Sequence, residues 1–444
     1  MADEAATVRR IEWREVFPFT HLFRAFRIAV HPSKLIIALV ALGCLWCGGL
    51  ILDALWPQRF QISPADHIAL STADSEPGPA QFDLSNPSAG TFRTFFNYEV
   101  TQANGILMFH ANPFESVWRF IAVGPLWLWS NHWLFALLYT IWFLLIWSVF
   151  GGAISRIAAV HVARDEKISV RHAMSFSIAK VLSFIFAPVI PVFIVLVIGL
   201  IIAVASTILF HLSHIGAFVA SLTFFLALIG GFIITLVLLG MMGGFNLMYP
   251  TIAVEGSDSF DAISRSFSYV FARPWRMLWY TLVSVVYGAV CYLFVRFFVW
   301  LMLAVTWFFM TWMLGAQHAY PADKSPADVF ARMWQLPHDP RQPLPHSPSY
   351  GVLTRWDSTS AGIMQFWIYL VIGLIGAFAI SFYFSANTVI YYLMRREVDA
   401  TDLDDVYVEE TDDDLDAGEA GAVDATVTTA VVADEVPPPP ENPA

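Results

Sequence analysis

The chain has 444 residues, of which 57% are hydrophobic and 16% aromatic, and its mean hydropathy is +0.61. Only 14% of the residues are charged, against about 25% in soluble domains, which argues against an ordinary soluble enzyme. The net charge of −12 is uneven, because residues 397–444 hold 16 of the 36 acidic residues and no Lys or Arg. Residues 1–396 therefore carry +4, and we expect a mildly basic apolar body with an acidic tail.

The N-terminal segment, residues 1–34, is expected to be a cytoplasmic amphipathic segment. The first apolar run begins near residue 35, behind several Arg and Glu residues, whereas a cleaved signal peptide places its apolar core nearer the terminus. We therefore interpret the first span as a retained anchor. Cys44 and Cys47 lie in this span as C-x-x-C, and we interpret them as packing residues because the thiolate needed for redox or metal chemistry is disfavoured in lipid.

Apolar runs long enough to cross a bilayer predict an all-α integral membrane bundle of six helices within residues 35–396. A spanning helix needs about 20 apolar residues. The run 276–314 is longer than one span needs, so it is one long helix, a span with an interfacial extension, or two spans that would move the C-terminus outside. The six predicted spans are 35–56, 132–154, 183–210, 215–244, 276–300 and 362–394.

The basic residues predict the orientation of the bundle. Sixteen Lys and Arg residues crowd the ends of the spans on the side of the two termini, and seven are spread over two long loops on the other side, 57–131 and 315–361. Because positive residues favour the cytoplasmic side, we expect both termini in the cytoplasm and both long loops outside a plasma (inner) membrane. The stretch "VWRFIAVGPLWLW" in the first loop is typical of an interfacial helix.

Two inner loops share the pattern E-x6-A-[MI]-S-x-S at an offset of 89 residues. The first copy begins at Glu166 and the second at Glu255, and a transmembrane hairpin follows each. The N-terminal "HLFRAFRIAVHPSK" has a similar composition before the first span. The pattern predicts repeated units of an elbow helix, meaning a short amphipathic helix at the cytoplasmic surface, and a hairpin. Asp258 or Ser259 is expected to cap the second elbow.

The segment "PTIAVEGSDSFDAISRSFSYVF", Pro250 to Phe271, resembles the cytoplasmic elbow of a broad group of bacterial polytopic membrane proteins. That group includes the membrane domain preceding glycerophosphodiester phosphodiesterases. The shared residues are Pro250, Glu255, Ala262, Arg265 and Ser266. The resemblance implies a helical membrane module whose function is largely unassigned, without the phosphodiesterase barrel.

The candidate functional or structural residues of the elbows are Glu166, Glu255, Arg265 and Ser266. In the functional interpretation, the two glutamates form a paired site for an ion or a lipid headgroup. In the structural interpretation, each accepts elbow N–H groups or pairs with a basic side chain such as Arg265.

Arg296 is the candidate polar residue within the membrane. An intramembrane charge is costly and indicates function by default, but this arginine lies near the outer interface, where it can reach headgroups. Both anchoring and contact with a substrate or partner remain open. The G-x-x-x-G of Gly240 and Gly244 indicates close helix packing, within the bundle or between two copies. Asn246 and Asn387 are expected to hydrogen-bond between helices.

Residues 397–444 are expected to form a disordered acidic cytoplasmic tail. The tail either solubilises the protein or binds a basic protein partner. We find no catalytic, cofactor or metal motif, and His211 and His214 lack a nearby carboxylate. The favoured function is therefore non-catalytic, acting through lipid or protein interaction, with membrane lipids as partners and no nucleic acid. A transporter or permease for a small molecule or lipid is the alternative.

Overall fold

A computed structural model describes residues 17–56, 90–108, 112–315, 329–330, 333–334 and 355–407. Within these ranges the regular structure is helical and no strand occurs. A 3-10 turn, Pro18–Phe23, precedes the first helix. The helices are α1 Arg24–Ala29, α2 Pro32–Leu55, α3 Thr91–Leu107, α4 Pro113–Trp118, α5 Gly124–Asn131, α6 Trp133–Arg164, α7 Val170–Ala179, α8 Val181–His211, α9 Ser213–Leu222, α10 Phe224–Glu255, α11 Ser259–Ala272, α12 Pro274–Gly315 and α13 Arg355–Asp399.

Six helices are long and apolar enough to cross a membrane, namely α2, α6, α8, α10, α12 and α13. The chain is therefore a multi-pass membrane protein, as its composition predicts. The run 276–314 falls in one continuous helix of 42 residues, α12, which excludes the seven-span alternative for this run. Helix α8 begins at Val181, close to the predicted start of this span at 183, and it continues through Pro188 and Pro191.

The run predicted as the fourth span, 215–244, is divided between two helices in the structure. A separate helix, α9, occupies the start of that run, and α10 begins at Phe224 and continues to Glu255. The break lies at Thr223, which caps α9 and whose hydroxyl donates to the carbonyl of Val219 at 2.9 Å. Hydropathy alone does not register such a break, because the residues on both sides of it are apolar.

Part of the first long loop is helical, since α3, α4 and α5 lie within 57–131. The predicted interfacial stretch is helical from Val117 to Trp129, with a π turn at Arg119–Val123. Asp53, near the end of α2, accepts the backbone N–H of Phe92 at 2.8 Å and of Arg93 at 3.3 Å. It thereby caps the first turn of α3 from a distant part of the chain. The described residues do not include 1–16, 57–89 or most of 315–361. They also do not include 408–444, which is most of the predicted disordered tail.

The six spans form three hairpins around a common centre. The second helix of each hairpin, α6, α10 and α13, packs against the other two. The three elbows lie at one end of the bundle, which we call the elbow end, and the opposite end is the loop end. Elbow α7 packs on α6, elbow α11 packs on α10, and the first elbow, α1, packs on α13. Elbows α7 and α11 therefore each cover the second helix of the preceding hairpin. The first elbow covers the second helix of the last hairpin.

The repeat at an offset of 89 residues is visible in the packing of α7 and α11. Ser169 and Asp258 occupy equivalent positions, and each caps its elbow by accepting the backbone N–H three residues later. Ala173 and Ala262 are both fully buried, and so are Ser177 and Ser266. These pairs confirm that the shared pattern encodes one local structure twice. The small residues permit each elbow to approach the span beneath it.

Gly240 and Gly244 serve packing within the chain, because the ring of Phe267 on α11 lies over them. A Cβ on Gly240 would lie 2.7 Å from Cδ2 of Phe267, whereas nothing lies within 4 Å of a Cβ on Gly231. We therefore expect Gly240→Val to destabilise the protein by about 1–3 kcal/mol through overpacking, and Gly231→Val on the same helix to change little. Thermal unfolding of the purified variants measures this; equal losses would exclude the contact as the cause.

Candidate functional site at the elbow end

Glu255, the last residue of α10, is the centre of an ion-pair cluster at the elbow end. Arg265 Nε lies 2.9 Å from its Oε2, and Arg395 Nε lies 3.3 Å from its Oε1. The hydroxyl of Tyr391 donates to Oε1 at 2.5 Å. The Glu255 side chain is only 9% exposed, so the carboxylate needs these partners to offset the loss of water. Elbow α11 and the end of α13 are thereby joined to α10.

Further ion pairs extend this cluster at both arginines. Arg265 also binds Asp261, one turn earlier on its own helix, at 3.1 Å. Arg395 binds Asp405, which lies in the predicted acidic tail, at 2.7 Å. Each arginine therefore has a second carboxylate partner besides Glu255. Through Asp405, the network includes the first residues of the tail.

Two contacts fix the start of α12 and the end of elbow α11 to the last residues of α13. Tyr269 donates a hydrogen bond to Asp399, and Arg276 pairs with Glu397 at 2.5 Å. Both acidic residues belong to the predicted tail segment, 397–444, yet α13 continues to Asp399. The start of that segment is therefore helical, and its first two acidic side chains bind elbow α11 and the start of α12.

The electrostatics of the cluster keep its donors protonated. Burial lowers the pKa of Arg265, but the hydrogen bond to Asp261 and the charges of Glu255 and Asp261 outweigh burial and raise the pKa of its guanidinium. Burial, and then the hydrogen bond to Asp399, raises the pKa of the Tyr269 phenol. Neither group releases a proton near neutral pH, so both act as fixed donors rather than as acids or bases.

Two basic side chains, one on α6 and one just after elbow α7, bind the backbone carbonyls at the end of α10. Arg156 on α6 donates to the carbonyl of Ala253 at 2.8 Å, and Lys180 donates to the carbonyl of Gly256 at 2.6 Å. Gly256 has φ 64°, the left-handed conformation common after a helix end. Positive charge at a helix C-terminus is favourable. These two contacts therefore join the end of α10 to α6 and to the residue that follows elbow α7. Arg156 also lies 4.4 Å from the centroid of the Phe176 ring, a cation–π distance.

The two repeated glutamates do not have the same environment. Glu166 is exposed, and among the described residues it makes no hydrogen bond or ion pair. Glu255 pairs with Arg265, as its structural interpretation predicts. Ser266 lies beneath the elbow with its Oγ 3.3 Å from the hydroxyl oxygen of Thr251, so it is a packing residue that solvent does not reach.

Arg296 is buried, and its guanidinium contacts α3 at the loop end. The residue is 9% exposed, and its Nη1 lies 3.5 Å from Oδ1 of Asn104, which also accepts a hydrogen bond from the hydroxyl of Tyr292 at 2.6 Å. This placement does not fit an arginine that reaches lipid headgroups. The contact with a polar partner from another helix offsets part of the cost of burying the charge here.

Several buried ionisable residues have no local sequence signal. Lys34 is fully buried near the start of α2, with its Nζ 3.4 Å from Oγ of Ser385. Glu99 on α3 has a buried Oε1 without a hydrogen-bond partner. Glu99 belongs to no motif, and Lys34 ends the N-terminal stretch "HLFRAFRIAVHPSK" without a pattern that predicts its burial. The residues that contact them are distant in sequence. Burial, followed by the charges of Lys34 and Lys167, lowers the pKa of His31.

The described residues contain no group of three His, Cys, Asp or Glu side chains that could hold a metal ion. Comparison with known proteins gives no matching family model, no matching curated protein and no matching solved structure. The resemblance of Pro250–Phe271 to bacterial membrane elbows therefore stays a prediction, and the function has to be argued from the geometry.

Proposed function

We propose that this chain is a non-catalytic protein of the cell membrane that acts through its elbows by binding anionic lipid headgroups at the cytoplasmic leaflet. Both termini are then cytoplasmic, in agreement with the excess of basic residues at the ends of the spans on that side. The ion-pair cluster of Glu255 has a structural role, which is to hold elbow α11 and the end of α13 in place.

The observation that carries this proposal is the composition of the elbow surfaces. Each elbow, together with the residues that adjoin it in the chain, presents exposed basic and exposed large apolar side chains at the same end of the bundle. An amphipathic helix of this kind places its apolar side chains among the acyl chains and its basic ones among the phosphates. The exposed pairs are Phe23 with Arg27 at α1, Ile178 with Arg171 at α7, and Trp275 with Arg273 after α11.

Lipid retention tests this proposal. A basic residue near an anionic surface contributes about 1 kcal/mol, so Arg273→Gln should weaken phosphatidylglycerol binding about five-fold. The readout is the phosphatidylglycerol concentration that gives half of the maximal rise in Tm in mixed micelles. Arg93→Gln is the matched control, because it removes an exposed arginine at the loop end. An equal effect of both variants, or an equal Tm rise with phosphatidylcholine, would contradict headgroup binding by the elbows.

A further inference from the structure

The hairpin of α8 and α10 stands apart from the other two hairpins in its loop-end half. Between residues 192 and 239, Gly216 is the only buried residue among those whose side chains are described. At the same end of the other hairpins, large residues such as Phe135, Leu303 and Ile368 are buried. In addition, α12 packs against α13 and α11 but makes no comparable contact with α10. The loop-end halves of α10 and α13 therefore do not pack together, although the two helices are in contact nearer the elbow end, and we call the space between these halves the opening.

The floor of this opening is formed by aromatic and polar side chains of the inner helices. Tyr383 on α13 is 42% exposed, and it is the only exposed residue between 371 and 395. Beneath it, Phe384 stacks between Trp147 and Tyr249, with ring centroids 5.7 and 5.8 Å apart. These three rings close the centre of the bundle toward the elbow end, so the opening ends at the level of Tyr383.

A polar pair lies at this floor. Tyr383 donates its hydroxyl hydrogen to Oδ1 of Asn246 on α10 at 2.6 Å. Among the described residues, the one hydrogen bond of the Asn246 side chain is the bond that Oδ1 accepts, so its amide NH₂ has no protein partner there, and it is not among the fully buried groups. One and two turns further toward the loop end, Met242 is 83% exposed and Leu239 is 51% exposed on the same face of α10. The pair thus lies at the elbow-end limit of the opening, next to exposed apolar side chains, and it keeps two N–H donors and a hydroxyl oxygen free for a ligand.

The depth of this pair restricts the chemistry of the ligand. Asn246 lies nine residues before Glu255, which corresponds to about 14 Å along the helix, near the middle of a hydrocarbon layer about 30 Å thick. A charged headgroup at that depth is strongly disfavoured, and an unpartnered N–H in lipid is also unfavourable. The site therefore favours an uncharged head with hydrogen-bond acceptors, attached to apolar chains that fill the opening.

We propose that the opening between α10 and α13 binds a neutral glycerolipid of the diacylglycerol class, with its hydroxyl and ester carbonyl on Asn246 and Tyr383. Its acyl chains lie along the exposed faces of α8 and α10. This inference goes beyond headgroup binding at the elbows and does not depend on it, since the two sites differ in position and in the charge of the lipid.

Photo-crosslinking of the purified full-length protein tests this site. The probe is a diacylglycerol with a diazirine in one acyl chain, and the comparison probe is a phosphatidylcholine with the same chain. We expect diacylglycerol adducts concentrated in peptides covering residues 238–249 and 376–390, and we expect unlabelled diacylglycerol, but not phosphatidylcholine, to compete. Equal adducts from both probes would show that the opening holds bulk lipid and would overturn the proposal.

Substitutions add a second, independent readout. We expect Asn246→Leu combined with Tyr383→Phe to lower the yield of these adducts about five-fold, and Met242→Trp to lower it by filling the opening. Met310→Trp is the matched control, since Met310 is exposed on α12, which does not line the opening. Unchanged yields in the first variants would overturn the proposal. If those variants misfold, the competition experiment on the unaltered protein still decides, and phosphatidylglycerol binding at the elbows is measured separately.

Discussion

Replacement of Glu255 by glutamine should lower the free energy of unfolding by about 3–5 kcal/mol, because it removes one partner from a buried ion-pair network. The variant leaves Arg265 and Arg395 next to a neutral amide, and it weakens the hydrogen bond that Tyr391 donates. Asp261 and Asp405 still pair with the arginines, which places the expected loss toward the lower end of this range. The measurement is Tm and the free energy of unfolding in detergent.

Glu166→Gln is the matched control for this variant. It makes the same chemical change at the equivalent position of the other repeat, where the side chain is exposed. Surface substitutions of this kind usually change stability by less than about 0.5 kcal/mol. If the two variants lost the same stability, the cluster at Glu255 would not be what holds elbow α11 to the end of α13.

Glu99→Gln should remove a large part of the pH dependence of stability. The buried Oε1 of Glu99 lies against Gly124, where an added Cβ would be only 1.9 Å away. Burial raises the pKa of this carboxyl to about 8, from an ordinary value near 4.5. The folded protein therefore holds a proton that the unfolded chain releases, so stability falls as pH rises between about 4.5 and 8.

Above pH 8 Glu99 is ionised in the folded protein, and the cost of burying the carboxylate lowers the free energy of unfolding in full. This cost is at most about 5 kcal/mol, at 1.4 kcal/mol per unit of the pKa shift. Glu99→Gln should thus raise Tm at pH 9 and leave it nearly unchanged at pH 4. Glu115→Gln is the control, because that carboxylate is 53% exposed and pairs with Arg119 on the next turn. A Tm of the Glu99 variant that keeps the full slope between pH 4.5 and 8 would contradict the burial of this carboxyl.

The architecture was predictable because its signals are local. Long apolar runs locate the spans, and the match of Ser177 with Ser266 at an offset of 89 locates two elbows, since each elbow buries the same small residues. The break at Thr223 was missed, because apolar residues continue on both sides of it. A single polar residue in an apolar run carries too little information to end a helix in a sequence-based prediction.

The candidate site was only partly predictable, because its contacts cross long sequence separations. The pairing of Glu255 with Arg265 is ten residues apart and was anticipated, whereas Arg395 and Tyr391 come from the last span. The repeat also suggested that Glu166 and Glu255 are equivalent. They are not, because the last span reaches only one of them, and no pattern within a single repeat records that asymmetry.

Labelling of single cysteines in oriented membranes tests most directly whether the elbows lie at the cytoplasmic leaflet. In a chain with Cys44, Cys47 and Cys291 replaced by alanine, Arg171→Cys reports on elbow α7 and Thr101→Cys reports on α3. Both positions are exposed. We expect an impermeant maleimide to label position 101 in right-side-out vesicles and position 171 in inside-out vesicles. The reverse pattern would place the elbows at the outer leaflet and contradict the proposed function.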